Sequence, residues 1–344
     1  MKHRLAFIGF GVVGQGLAEI LVKKEEELRD RYGFEYSIVA VSDVQKGSVS
    51  NEKGLDTSRL LSLVNDTGKI EDYPQGATGW DSLKTIRESN ADVIVEVTYT
   101  DIETGEPALS HFRTAFEVGK HLVTTNKGPV ALAYRELAQM ANEMGLQFRF
   151  EGTVMSGSPA INLATLGLAG ADIRQIRGIL NGTTNYILTE MEKGRTYEEA
   201  LKQAQDLGYA EAKPEADVEG WDALAKVLIL SNVLMGGELK VADVAREGIT
   251  KISPQEIERA KADGKRWKLI GQTRKEKGTI KAKVSPEMVP LSDPLASVGG
   301  ATNALTFETD LLGKVSVVGP GAGKRQTAYA LLNDLLDIDR TLKK

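Results

Sequence analysis

The stretch that most limits the fold lies at the amino terminus, where residues 4–33 read RLAFIGFGVVGQGLAEILVKKEEELRDRYG. Residues 4–9 form an apolar run of strand length, which ends in Gly9-Phe10-Gly11-Val12-Val13-Gly14. An amphipathic pattern follows, with Leu17, Ile20, Leu21 and Leu28 on one face and charged residues outside, stopped by Gly33. Strand, glycine turn and helix in that order open a doubly wound parallel sheet. The first glycine of G-x-G-x-x-G allows the tight turn, the second lets a pyrophosphate approach the backbone, and the third lets helix and strand pack closely. The phosphate then sits at the positive end of the helix. Gly9, Phe10, Gly11, Val12, Val13 and Gly14 are therefore a candidate dinucleotide-binding loop, against the plainer reading of a structural turn.

Further apolar runs at 36–43, 91–98 and 120–126 end in small polar residues, as parallel strands buried on both faces do. Helical patterns at 106–118 and 131–144 separate the later ones. The segment 44–90 is polar and glycine-rich and shows one helix near Ser58–Val64. After about residue 150 come glycine-rich turns and helical patterns at 183–193, 196–207, 217–236 and 254–263. Strand-like segments follow at 266–284 and 302–318, and the chain closes as strand, glycine turn and helix. The expected fold is α/β, a Rossmann-type doubly wound parallel sheet in residues 1–130 with 319–344, plus an α+β domain in 131–318. The closing helix is expected to pack back onto the first domain.

Composition excludes several classes. Across 344 residues the net charge is −5, with no basic tail or block, so nothing marks a nucleic-acid footprint or a polybasic membrane anchor. No apolar stretch approaches the roughly eighteen residues of a membrane span. The glycines near the start and the lack of a small-residue cleavage pattern argue against a signal peptide. There are no cysteines, which removes disulfides, thiolate metal sites and a cysteine nucleophile. A cytoplasmic enzyme is the expectation.

Asp43 ends the second predicted strand, where an acidic residue binds a ribose 2′-hydroxyl and favours NAD. Lys46 and Lys53 stand just beyond and suit a 2′-phosphate, so NAD and NADP both stay open, and a turn role for Asp43 remains. GPGAGK at 319–324 resembles a P-loop, but it is one residue short and has Arg325 in place of the magnesium-binding Ser or Thr. Tyr209 and Lys213 mimic a catalytic tyrosine–lysine pair, which needs a helix that Pro214 breaks. His3, His111 and His121 are scattered, without metal-ligand spacing.

The sharpest signal is in WDALAKVLIL, residues 221–230. Lys226 sits in a helix apolar on nearly every side, with Asp222 one turn before it. A solvated i,i+4 pair belongs on a polar face, whereas a helix apolar all round is buried. Burying an ion pair costs several kcal/mol per ion before attraction repays it. A lysine lowered by desolvation and raised by a carboxylate suits proton transfer near neutral pH. Upstream, Glu211, Glu215, Asp217 and Glu219 are either a dipole-serving acid cluster or a pocket for a cationic group.

Together these residues resemble homoserine dehydrogenase. Ala204, Gly208, Tyr209, Ala210, Pro214, Asp217, Gly220, Asp222 and Lys226 follow the order of that family's signature, with Lys213 where a short polar residue is usual. The resemblance extends to VTYTDIETGEP (97–107), TTNKGP (124–129), EGTVMSGSP (151–159), NGTTNYIL (181–188) and GPGAG (319–323). It implies reversible NAD- or NADP-dependent interconversion of L-aspartate 4-semialdehyde and L-homoserine, in threonine, methionine and isoleucine biosynthesis. It implies Lys226 as acid/base with Asp222 beside it, and Lys127 stabilising developing charge. Glu211 would hold the substrate amino group, with Asp217, Tyr209, Gly182, Thr183 and Asp222 lining the pocket. Thr98, Lys127, Gly208 and Gly323 would lie near the nicotinamide. A sodium-like ion would sit on Glu151 and the carbonyls of Val154, Ser156 and Ser158, near the domain junction. A homodimer formed through the second domain completes the expectation, with no fused kinase or regulatory domain.

Overall fold

Apolar runs and helices alternate in space as they do along the chain. In the computed structural model, which describes residues 2–344, seven strands form the first sheet: β1 (Lys2–Ile8), β2 (Glu35–Asp43), β3 (Gly47–Ser50), β4 (Ala77–Thr78), β5 (Val93–Glu96), β6 (His121–Thr124) and β7 (Phe148–Arg149). Their order is β4-β3-β2-β1-β5-β6-β7, parallel from β2 through β7, with β3 and β4 antiparallel at one edge. Strand order reverses direction at β1, between β2 and β5, the place where such sheets bind ligands beyond the strands' carboxyl ends.

Helices α1 (Val12–Lys23), α2 (Glu25–Tyr32), α3 (Thr57–Thr67), α4 (Ser82–Glu88), α5 (Ala108–Glu117) and α6 (Lys127–Glu143) belong to this unit, as does the closing helix Lys324–Leu342. Leu5, Phe7, Leu17, Leu21, Ile38, Val93, Val123, Leu331, Leu335 and Ile338 share one buried cluster. The closing helix therefore completes the core of the first unit. Lys324 also pairs with Glu19 of α1 at 2.6 Å.

The first unit runs to Thr153 and resumes at Gly323, whereas the sequence suggested a division at 130 and 319. The difference lies in α6, which packs on α5 and leads into β7 of the same sheet. The helix also starts earlier than its periodicity implies. Asn126 accepts a hydrogen bond from Gly128 N–H at 3.2 Å, and Pro129 sits in the first turn, where a missing N–H costs nothing.

The second unit, Val154–Ala322, holds a six-stranded sheet: β8 (Ile173–Ile179), β9 (Ala245–Arg246), β10 (Lys265–Glu276), β11 (Thr279–Pro290), β12 (Thr302–Thr309) and β13 (Gly313–Pro320). The order is β13-β12-β8-β10-β11-β9, antiparallel except for β11 with β9. Its helices are α7 (Gly182–Met191), α8 (Tyr197–Asp206), α9 (Glu215–Val218), α10 (Trp221–Ile229) and α11 (Pro254–Ala262), so the closing helix is α12. The single helix expected over 217–236 is in fact three pieces. Gly220, at φ +84°, separates α9 from α10, and a π-helical turn, Leu230–Leu234, follows α10. That break aims the start of α10 at the turn after β8, which decides where Asp222 and Lys226 meet.

Candidate active site

In the first unit the glycine turn has the shape its sequence requires. Gly9 has φ +92°, and a Cβ there would lie 2.7 Å from Val97 O. A Cβ on Gly14 would lie 2.8 Å from Gly9 O, so the third glycine sets the close approach of α1 to β1. Around Gly11 a Cβ would meet nothing within 4 Å, leaving space at the surface of the turn. The first helical bond runs from Gln15 N–H to Gly11 O at 3.0 Å. Amides of Val12, Val13 and Gly14 precede it and point out of the helix end, as an anion site needs. Val12 is exposed, Val13 half-buried, and Phe10 buried against Phe7. A dinucleotide pyrophosphate fits this cradle.

Asp43 does more than end β2. Its Oδ2 accepts from Phe10 N–H at 2.7 Å, and its Oδ1 accepts from Gln45 N–H at 2.9 Å and Lys46 N–H at 3.0 Å. Lys46 Nζ is 3.8 Å from Oδ1. Burial alone would raise this carboxyl, but the three amides and Lys46 outweigh it, and its pKa falls below the ordinary range. The turn role is thus filled, because this one carboxylate ties the glycine turn to the end of β2. Thr98 is half-buried after β5, and Lys127 is the first residue of α6.

In the second unit Lys226 is 6% exposed and lies on α10 among buried Leu224, Val227 and Leu228. Its ammonium donates to Leu180 O at 2.6 Å and to Asp222 Oδ2 at 2.7 Å. The third N–H has no acceptor among the described residues. Asn181 joins the group: its Nδ2 donates to Asp217 Oδ1 at 2.7 Å and to Asp222 Oδ2 at 3.0 Å. Its Oδ1 meanwhile caps α7 by accepting from Thr184 N–H at 2.9 Å. Burial, then the Asp222 charge, raise the Asp217 carboxyl above its usual pKa, while Asn181, Lys226 and Thr183 pull the other way.

The structure thus gathers Lys226, Asp222 and Asp217 around Asn181, and brings Gly182 and Thr183 in beside them at the start of α7. Thr183 Oγ1 donates to Tyr209 O at 2.6 Å, and the Tyr209 ring lies 5.0 Å from that of Tyr186. Glu211 is exposed, and its side chain makes no hydrogen bond to this cluster. Gly208 (φ +74°) follows α8 at the surface, and Gly323 (φ +132°) caps α12. Tyr209 and Lys213 lie on turns after α8 rather than on one helix.

Glu151 is 2% exposed in a single turn, and its N–H donates to Asp334 Oδ2 at 3.0 Å. Val154, Ser156 and Ser158 are buried, and Ser158 Oγ donates to Pro320 O at 3.2 Å. Met155 and Ser156 take left-handed backbone, φ +57° and +54°, which costs a non-glycine residue about 1–3 kcal/mol. Ser156 and Ser158 both stand where the resemblance leads one to expect glycine or alanine.

Two buried polar residues escaped the sequence reading. Asn181 caps α7, and its amide also orders both aspartates; nothing in one sequence announces that second role. Glu96 in ADVIVEVT is a different matter. It is a lone charge in an apolar run, the same signal that singled out Lys226, and it is completely buried.

A turn shaped for pyrophosphate and, in the same chain, a buried amine paired to a carboxylate point to a class: dinucleotide-dependent oxidoreductases. Comparison with known proteins makes this specific. Residues 9–151 match the family profile "Homoserine dehydrogenase, NAD binding domain", and residues 159–336 match "Homoserine dehydrogenase". An NAD(+)-dependent homoserine dehydrogenase of Pseudomonas canavaninivorans is 46% identical, covering 99% of this chain and 97% of that protein. The homoserine dehydrogenase of Methanocaldococcus jannaschii is 45% identical over 99% of both. A hyperthermophilic archaeal homoserine dehydrogenase, solved in complex with NADPH, superposes with TM-score 0.85 at 30% identity over 100% of this chain and 99% of that one. The chain belongs to the homoserine dehydrogenase family of NAD(P)-dependent oxidoreductases.

Proposed function

We propose that the chain interconverts L-aspartate 4-semialdehyde and L-homoserine as a step of amino-acid biosynthesis, with Lys226 as the group that moves the proton. The observation that carries this reading is the buried ammonium, fixed by Leu180 O and Asp222 with one N–H left for a substrate oxygen. When bound, the nicotinamide supplies or accepts the hydride. Lys226 provides the proton that the aldehyde oxygen needs as it gains negative charge, and takes it back in the other direction. Asp222 keeps the amine in place, and Asn181 keeps Asp222 in place. Lys127 stabilises charge developing on the substrate. Glu211 binds the substrate amine, and Asp217, Tyr209, Gly182 and Thr183 shape the pocket. The glycine turn and Asp43 hold the pyrophosphate and ribose, and Thr98, Gly208 and Gly323 serve the nicotinamide end.

Replacing Lys226 by methionine keeps the apolar stem and removes the proton. Turnover should fall about 10²–10⁴-fold, while dinucleotide affinity, read by fluorescence titration, stays within about twofold. A variant with wild-type kcat removes Lys226 from the mechanism.

NAD is the coenzyme we propose as preferred. An ionised Asp43 accepts from a ribose hydroxyl and repels a 2′-phosphate, and Lys46 is already paired to that carboxylate. The relative from Pseudomonas canavaninivorans is named for NAD. A sodium-like ion on Glu151 and the carbonyls of Val154, Ser156 and Ser158 belongs to the same reading. It is supported by the burial of Glu151, whose carboxylate is the kind of hard oxygen ligand such a cation takes. Exchanging sodium for a bulky organic cation should slow the enzyme, and an indifferent rate discards the ion. The homodimer is proposed through the second unit, and a monomeric mass by light scattering refutes it. No helix among the described residues is long and apolar enough to cross a membrane.

A further inference from the structure

The buried carboxylate of Glu96 ends β5 and is 0% exposed, at the edge of the sheet where the loops after β5 and β6 begin. A fully buried acid is costly unless its lone pairs are filled, and here they are. Oε1 accepts from the Thr98 hydroxyl, from Thr98 N–H at 3.4 Å and pairs with His111 Nδ1 at 3.2 Å. The other ring nitrogen of His111 meets Ser82 Oγ at 2.7 Å. Oε2 lies 3.4 Å from Thr124 Oγ1, whose oxygen in turn accepts from Asn126 N–H at 2.9 Å. Asn126 closes the circuit by donating its Nδ2 to Tyr99 O at 2.9 Å and to Thr98 O at 3.4 Å. One carboxylate therefore links the loop carrying Thr98 to the cap of α6, whose first residue is Lys127.

Packing does not require this arrangement. Val93, Ile94 and Val95 are buried on the same strand with no polar group at all, and a further apolar residue would satisfy the core at less desolvation cost. What the carboxylate adds is direction. It fixes the Thr98 hydroxyl and, through Thr124 and Asn126, the turn into Lys127. A positioning group of this kind lowers the ordering cost of binding, because the contacting side chains are held before the ligand arrives. We propose that Glu96 is a positioning residue for the nicotinamide half of the coenzyme, acting through Thr98 and Asn126 without touching the coenzyme itself. This rests on the reading above that Thr98 serves the nicotinamide end.

Paired ligands separate positioning from mere structure. ADP-ribose keeps the pyrophosphate and the adenosine that the glycine turn and Asp43 bind, and lacks the nicotinamide. Calorimetric titration of the full chain should show Glu96→Gln weakening NAD about tenfold, the size of one lost hydrogen bond. ADP-ribose affinity should stay within about twofold of wild type. Thr98→Val should give the same selective loss, and the double variant should lose no more than either single one, because both changes break one linkage. Equal weakening of NAD and ADP-ribose by Glu96→Gln would mean a general loosening and would overturn the proposal. So would unaltered NAD binding in Glu96→Gln while Thr98→Val weakens it, which leaves the Thr98 assignment standing. If Thr98→Val leaves NAD binding untouched, the assignment of Thr98 to the nicotinamide falls, and the role of Glu96 falls with it.

Discussion

Asp217 and Asp222 share one amide, that of Asn181, and stand close enough for each charge to be felt by the other. Burial first, and Asp222 second, make Asp217 hold its proton to higher pH than an exposed aspartate does. The sign for stability follows directly. An acid with a raised folded pKa favours the folded state below its unfolded pKa, and that contribution is lost as pH rises through the folded value. At neutral pH, then, Asp217 is a residue kept at a cost in stability. Asp217→Asn retains an oxygen to accept from Asn181 and removes the titration. It should raise the denaturation midpoint above that of wild type at pH 8, and the difference should vanish as pH falls below the ordinary aspartate range. The same variant should raise KM for homoserine, the usual exchange of stability for function. A variant less stable than wild type at pH 8 would show that the Asn181 bond, not the buried charge, dominates.

Strand ends and the turns that follow them carry the coenzyme side, and Asp43 ties two of these together by accepting the Phe10 amide from the end of β2. Asp43→Ser should therefore act twice: NAD affinity falls, through both the ribose and the turn, while the ratio of kcat/KM for NAD over NADP narrows by about tenfold. An unchanged ratio would take coenzyme choice away from Asp43. At this scale much of the molecule was legible from residue order. Parallel strands read as apolar runs because both faces are covered, and the glycine turn read as a cradle because only glycine tolerates Gly9's φ and Gly14's contact with Gly9 O. Elements without such a pattern were not legible. β3 and β4 are short strands, with β4 alone at the sheet edge, and α4 is seven residues held by the Asp81 cap, so segment 44–90 yielded only its longest helix. The start of α6 was hidden by Gly128-Pro129, which reads as a turn and works as a first helical turn. Within the site, Lys226 was legible as a charge in apolar surroundings. The shared role of Asn181 was not, because it depends on Asp217 and Asp222 arriving from 36 and 41 residues away.

At the scale of the whole molecule each compact unit encloses a lysine that plays no part in the proposed chemistry. In the first, Lys120 donates to Ile86 O and, at 2.7 Å, to Ser89 O, securing the end of α4. In the second, Lys268 on β10 is 0% exposed and donates to Val298 O at 2.7 Å and Asn185 Oδ1 at 3.0 Å. Burial lowers each to about 8, against the pull of Asp92 and Glu88 on Lys120 and of Glu192 on Lys268; Arg4 and Arg266 add to the lowering. A lysine depressed in the folded state gives its full stabilisation only above the unfolded pKa of 10.5, and loses it as pH falls through about 8. Between those limits the unfolded chain binds more protons than the folded one, so stability should climb with pH. For Lys268 alone the climb is at most about 3 kcal/mol. Lys268→Met should flatten the rise in urea midpoint between pH 8 and 10. Its absolute stability at pH 7 is not diagnostic, since Asn185 Oδ1 loses its donor while Val298 O keeps Asn185 Nδ2 at 3.2 Å. Lys120→Met should flatten its own share in the same way, and the two effects should add, because the lysines lie in separate units with no common partner. A wild-type slope in both variants would mean that these amines reach solvent protons in the folded state, and that burial does not govern the alkaline stability of the protein.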